Sequence, residues 1–77
     1  MAKRTYNFKL KIKEAVESRN ITQKELAEMT GIREATISEM AQNARTVINK
    51  VHLGKIMDAL DITKLDEILE FTVEEEF

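Results

Sequence analysis

The acidic and histidine side chains of this 77-residue chain are not spaced for catalysis or metal binding. Asp58, Asp61, Asp66 and Glu67 fall at helix-capping and solvent positions, with no nucleophile–base pair and no glycine-rich phosphate loop beside them. The chain has no cysteine, and its single histidine, His52, cannot form a histidine-rich metal site. The sequence therefore indicates a protein that is not an enzyme and that has no cofactor, no metal and no small-molecule substrate.

The balance of charges bears on nucleic-acid binding, which requires cationic side chains that neutralise phosphates. The formal net charge of -2 argues mildly against nucleic-acid binding, which usually shows as a basic excess. The charges are separated along the chain, however, so one face can be basic while the molecule is not. The basic cluster near the N-terminus is Lys3, Arg4, Lys9, Lys11 and Lys13, and the acidic cluster near the C-terminus is Glu70, Glu74, Glu75 and Glu76.

Helix start and stop signals predict a helix–turn–helix over about residues 22–42. Thr22 and Glu25 form the sequence pattern of a capping box, and Gly31 supplies the left-handed turn between two short helices. Ala27 is small where the helices must approach closely. Ile37 is a branched apolar residue that can fix the angle between them. This geometry lets the second helix project far enough to enter a DNA major groove.

Three further helices are expected. One runs from about Ile12 to residue 19 and ends at Asn20, one begins after Asn49, and a short one begins at Thr63. The stripe of the helix after Asn49 is Val51, Leu53, Ile56, Met57 and Leu60, and Met29, Met40 and Met57 are expected in the core.

Alternating apolar residues at both ends of the chain predict a pair of strands. Tyr6, Phe8 and Leu10 alternate at one end, and Leu69, Phe71 and Val73 at the other. Because a lone strand leaves its backbone groups unpaired, we expect an antiparallel ribbon of residues about 4–9 against about 69–74. Its free edges could pair with a second copy and form a dimer.

The run TQKELAEMTGIREATISEM, residues 22–40, resembles the Cro/C1-type helix–turn–helix family, also called the xenobiotic-response-element family. The resemblance covers roughly residues 8–71. It implies an all-α fold, a compact five-helix bundle of the lambda-repressor-like type, here a single domain over residues 1–77 with the ribbon added. It also implies a sequence-specific regulator of double-stranded DNA. Separately, no segment approaches the roughly 18 consecutive apolar residues of a membrane-spanning helix and no signal-peptide pattern opens the sequence, so we expect a cytoplasmic protein with no membrane partner. Members are mostly phage, plasmid and chromosomal repressors and are usually homodimers.

The resemblance also assigns DNA contacts by position. Gln23 matches a residue that touches a phosphate at the start of the second helix. The first turn of the recognition helix meets base edges, and Glu39 matches another groove-facing position. Arg45 and Lys50 match positions that grip the DNA backbone. The residues matching the first turn are Arg33, Glu34, Ala35 and Thr36.

This sequence departs from the common pattern of the family. Glu34 and Glu39 are acidic where uncharged or basic residues are more usual, and a carboxylate facing phosphates is costly unless a cytosine amine donates to it. Val16 and Ala41 stand where many members have a buried arginine–glutamate pair. The acidic recognition helix leaves an alternative open, a protein-binding helix–turn–helix module such as an antirepressor, an antitoxin or a phage-type inhibitor.

Overall fold

A computed structural model describes residues 3–44 and 46–76, and within them four α-helices and one two-stranded antiparallel sheet. The order is β1 (Lys3–Leu10), α1 (Ile12–Ser18), α2 (Gln23–Thr30), α3 (Glu34–Ala41), α4 (Lys50–Ala59), a 3-10 turn (Leu65–Glu67) and β2 (Leu69–Glu76).

The expected all-α, five-helix bundle is wrong. The segment predicted as a fifth helix from Thr63 contains only the 3-10 turn, and Leu69 already pairs with Leu10 as the first residue of β2. The amide N–H of Lys11 also donates to the carbonyl of Ile68, at 2.7 Å. A fifth helix would need these residues for its second turn, but their backbone groups are instead paired with β1 and with Lys11 directly after it.

The predicted caps and turns of the helix–turn–helix are confirmed. The Thr22 hydroxyl accepts from the Glu25 amide at 3.1 Å, and the Glu25 carboxylate accepts from the Thr22 amide at 3.2 Å. Gly31 ends α2 in the left-handed conformation, with φ of 74°. Asn49 begins α4, where its side chain accepts from the amides of Val51 and His52. Local hydrogen bonds thus fix where α2 and α4 begin.

The core lies among the four helices and the base of the ribbon. Its fully buried side chains are Ile12, Leu26, Ile37, Ile56 and Ile68. Among the described residues no polar or charged residue is buried, so apolar packing alone fills the interior.

The helices also carry an unforeseen polar link. The Arg19 guanidinium donates from Nε to the Leu60 carbonyl at 3.0 Å and from Nη1 to the Ala15 carbonyl at 3.2 Å. These hydrogen bonds tie the end of α1 to the end of α4.

The ribbon predicted from the two alternating runs is confirmed, and it is longer than expected. Its register runs from Lys3 opposite Glu76 to Leu10 opposite Leu69. Residues 3–9 and 70–75 are exposed, whichever side of the ribbon they occupy. The molecule measures 48 × 22 × 20 Å, and the two exposed strands account for its elongation because eight extended residues span about 27 Å. The ribbon is therefore an arm that projects from the helical part of the molecule.

Candidate nucleic-acid interface

The start of α3 is presented to solvent. Arg33 is the N-cap residue of α3 and has an extended backbone, and its side chain is exposed and makes no capping hydrogen bond. Glu34 and Ala35 are exposed as well, and Thr36 is half-buried. Ile37, by contrast, is fully buried. The predicted base-reading residues thus lie on the accessible side of a helix whose opposite side is anchored in the core.

The turn before α3 is held by a residue that the sequence analysis did not single out. The Thr30 hydroxyl donates to the Leu26 carbonyl at 2.8 Å and accepts from the Ile32 amide at 3.2 Å. With Gly31 in the left-handed region between them, these bonds connect the last turn of α2 to the approach to α3. A threonine directly before the turn glycine is the sequence signal, since short hydroxyl side chains favour local backbone bonds.

Two shallow grooves flank Arg33. One, of about 340 Å³, is lined by Gly31, Ile32, Arg33, Thr36, His52 and Lys55. The other, of about 360 Å³, is lined by Lys24, Ala27, Glu28, Gly31, Ile32, Arg33 and Glu34. Together they carry three cations and two carboxylates, so the surface beside α3 has mixed charge with a slight basic excess.

Lys55 is a second residue that the sequence analysis missed. It lies within α4, and only the packing of α4 beside the turn places it in the same groove as Arg33 and Thr36. Nothing in its local sequence distinguishes it from a solvent-facing lysine.

The other predicted contacts are distributed around this centre. Gln23 is the first residue of α2 and is half-buried, and Lys50 is the first residue of α4 and is exposed. Lys50 lines neither of the two grooves. Glu39 is half-buried in the last part of α3. Arg45 lies outside the described residues.

Residues 3–44 and 46–76 contain no group of three or more histidine, cysteine, aspartate or glutamate residues able to hold a metal ion. No helix among them is both long enough and apolar enough to cross a bilayer.

Comparison with protein families identifies a match for this chain. The model of the Cro/C1-type HTH DNA-binding domain matches residues 11–74, which include the four helices and most of β2. No curated protein and no solved structure matches the chain. The match supports a DNA-binding regulator in general terms, and the family is one of binding domains and not of enzymes. Since the match covers most of its length, the chain belongs to the family of Cro/C1-type helix–turn–helix DNA-binding domains.

Proposed function

We propose that the protein is a sequence-specific transcriptional repressor of phage, plasmid or bacterial origin that binds double-stranded DNA as a homodimer. Residues 33–39 enter the major groove. The observation that carries this proposal is the exposed first turn of α3, held rigidly by the left-handed Gly31 and the buried Ile37. A short helix presented in this way fits the major groove, and its N-terminal residues reach base edges.

The side chains of this turn supply different kinds of base contact. The Arg33 guanidinium is free to donate two hydrogen bonds to a guanine, and the methyl groups of Ala35 and Thr36 suit apolar contact with a thymine. Glu34 accepts a hydrogen bond from a cytosine amine, and Glu39 lies further along the same helix.

Phosphate contacts would position α3 without reading sequence. Gln23 and Lys50 stand at the starts of α2 and α4, where the positive end of each helix dipole also favours a phosphate. Arg45 is assigned here by the family resemblance. Lys55 joins this set because it shares a groove with Arg33.

The experiment is selection of bound duplex from a random pool, followed by titration of the selected sequence at several salt concentrations. We expect affinity to fall with salt because bound cations release counterions from DNA. Lys50→Ala and Arg45→Ala should each weaken binding to all sequences alike and flatten the logarithmic salt slope by about one unit. Lys13→Ala, an exposed lysine on α1, is the control and should leave the slope unchanged.

A protein-binding module is the second candidate function. The observation that favours it is the presence of Glu28 and Glu34 in the grooves beside α3, since carboxylates repel phosphates. If no selected duplex binds even at low salt, the DNA-binding proposal fails and the exposed turn of α3 becomes a candidate protein-binding surface.

A further inference from the structure

One side of the ribbon is apolar and uncovered. Residues directly opposite each other in an antiparallel pair project to the same side, so Tyr6 with Val73 and Phe8 with Phe71 share one side. We call these four residues the ribbon face. Their exposed fractions are 54% for Tyr6, 60% for Phe8, 53% for Phe71 and 43% for Val73. The opposite side of the ribbon carries Thr5, Asn7, Lys9, Glu70, Thr72 and Glu74.

The ribbon face is already ordered as one surface. The rings of Tyr6 and Phe71 are stacked, with centroids 6.1 Å apart and planes 11° apart. The rings of Phe8 and Phe71 are 5.1 Å apart. Because half of each ring remains in water although the ribbon is formed, folding of one chain does not complete the burial of these side chains.

We propose that the ribbon face is covered by the ribbon face of a second copy of this chain. The inference rests on the homodimer of the proposed function and specifies its contact surface. The two ribbons pack face to face about a twofold axis parallel to the strands, which leaves both helix–turn–helix units at the same end of the dimer.

The charges on the strands disfavour the alternative dimer, in which two ribbons pair through their free strand edges. Twofold pairing of β1 with its copy brings like charges together, and centred on Tyr6 it places Lys3 opposite a second Lys9. Pairing of β2 with its copy, centred on Thr72, places Glu70 opposite a second Glu74. Like charges directly opposite each other destabilise a strand pair.

Face-to-face packing reverses this relationship. With the axis along the strands, the basic β1 of each copy lies over the acidic β2 of the other. Arg4 and Glu75 form an ion pair (3.1 Å) on the same side as the ribbon face. In the dimer, Arg4 of each copy then lies over Glu75 of the other, so opposite charges face each other. The charges at the end of the ribbon therefore favour the face over the edges.

The size of the surface indicates a weak dimer. Three half-exposed aromatic side chains and one valine offer about 300–400 Å² per chain, below the roughly 800 Å² per partner of a stable interface. Beyond Phe8 the ribbon face borders a groove of about 540 Å³ between the ribbon and the α3–α4 segment, and polar and apolar side chains both line this groove. Apolar side chains lining this groove include Leu10, Met40, Val47 and Ile48. We therefore expect a weak, reversible dimer.

Sedimentation equilibrium of the whole chain tests the proposal. The double variant Tyr6→Thr with Phe71→Thr removes two rings but keeps residues that favour strands, and it should raise the dimer dissociation constant at least tenfold. Thr5→Ser with Thr72→Ser changes exposed residues on the opposite side of the same two strands and should leave that constant unchanged. A wild-type chain that stays monomeric up to millimolar concentration, or equal weakening by both double variants, overturns the proposal.

Crosslinking provides a second test that does not depend on weakening the ribbon. Because the chain has no cysteine, Val73→Cys and Thr72→Cys place single thiols on neighbouring residues of opposite sides. In this arrangement Val73 lies over β1 of the other copy and packed sheets are about 10 Å apart, so a direct disulfide between two copies of residue 73 is out of reach. A bifunctional maleimide with a reach of about 10 Å should link two Val73→Cys chains and should not link two Thr72→Cys chains. Equal crosslinking of the two variants contradicts the face-to-face arrangement.

Binding to DNA separates the two proposals. A wild-type chain that binds its selected duplex but stays monomeric refutes only the ribbon interface. A chain that dimerises through the ribbon face but binds no duplex refutes the DNA-binding proposal and leaves the interface standing.

Discussion

Asn43 makes two hydrogen bonds with the backbone of Leu10. The Leu10 amide donates to Asn43 Oδ1 at 2.6 Å, and Asn43 Nδ2 donates to the Leu10 carbonyl at 3.1 Å. Asn43 follows the end of α3 with a φ of 55°, and Leu10 is the last residue of β1. The side-chain amide of Asn43 therefore bonds to Leu10 as the backbone of a neighbouring strand would, and it joins the base of the ribbon to the helix–turn–helix.

Replacing Asn43 by glycine should separate its two roles, which are the left-handed backbone turn after α3 and the hydrogen bonds to Leu10. Asn43→Gly keeps the left-handed backbone but removes both hydrogen bonds and leaves part-buried backbone groups of Leu10 unpaired. Each bond contributes about 0.5–1.5 kcal/mol, and glycine recovers part of this by adopting positive φ without strain. We expect the free energy of unfolding to fall by about 1–2 kcal/mol, measured by urea denaturation.

Asn20→Gly is the matched control. Asn20 also has positive φ, 56°, but it is exposed and its side chain makes no hydrogen bond in the part of the chain that the structure describes. Glycine there should be neutral or stabilising by up to about 1 kcal/mol. Equal effects of the two substitutions would show that the Leu10 contact does not contribute to stability.

The two glycines should respond in opposite directions to alanine. Gly54 lies within α4, and a Cβ built on it meets nothing within 4 Å, so Gly54→Ala should stabilise the protein by about 0.5–1 kcal/mol. Gly31 also has open space around its Cβ position, but its φ of 74° penalises a side chain. Gly31→Ala should therefore destabilise by about 1–2 kcal/mol. Thermal melts of the two variants, run beside the wild type, measure both shifts.

Local signals predicted the elements of this fold better than their packing. The Thr22 cap, the left-handed Gly31 and the alternation of the ribbon each depend on residues close together in sequence, and all three are confirmed. The bonds between Asn43 and Leu10 join residues 33 positions apart. Asparagine tolerates positive φ, but no local sequence pattern predicts that Asn43 contacts Leu10.

The sequence predicted the buried side of each helix less well, because a short helix has few residues from which to define its apolar side. Val51, expected in the apolar stripe of α4, and Met29, expected in the core, are both exposed. At about 100° per residue, Val51 lies about 140° around α4 from the buried Ile56. Met29 likewise stands off the line of Leu26, Ala27 and Thr30, which form the inner side of α2. The groove position of Lys55 also depends on packing between helices, which the sequence does not encode locally.

The position of the missing family ion pair yields a further prediction. Val16 is 3% exposed, as expected, whereas Ala41 is only half-buried at the end of α3. Val16→Arg should destabilise the protein by several kcal/mol because a buried guanidinium would lack a carboxylate partner. Glu17→Arg changes the neighbouring exposed residue and is the control, with an expected change within about 0.5 kcal/mol. Similar melting temperatures for the two variants would contradict the burial of Val16.

The last prediction concerns the exposed carboxylate of Glu34 at the first turn of α3. Glu34→Gln removes a negative charge from a surface proposed to face DNA and replaces an acceptor-only group by one that also donates. We expect higher affinity for duplexes of any sequence and weaker preference at one base pair, with discrimination there reduced by about 1–3 kcal/mol. Glu14→Gln, which removes an exposed carboxylate from α1, should change neither quantity. Repeating the duplex selection with both variants measures the preference at every position. If Glu34→Gln selects the same sequence with the same affinity as the wild type, the Glu34 side chain does not lie at a base edge.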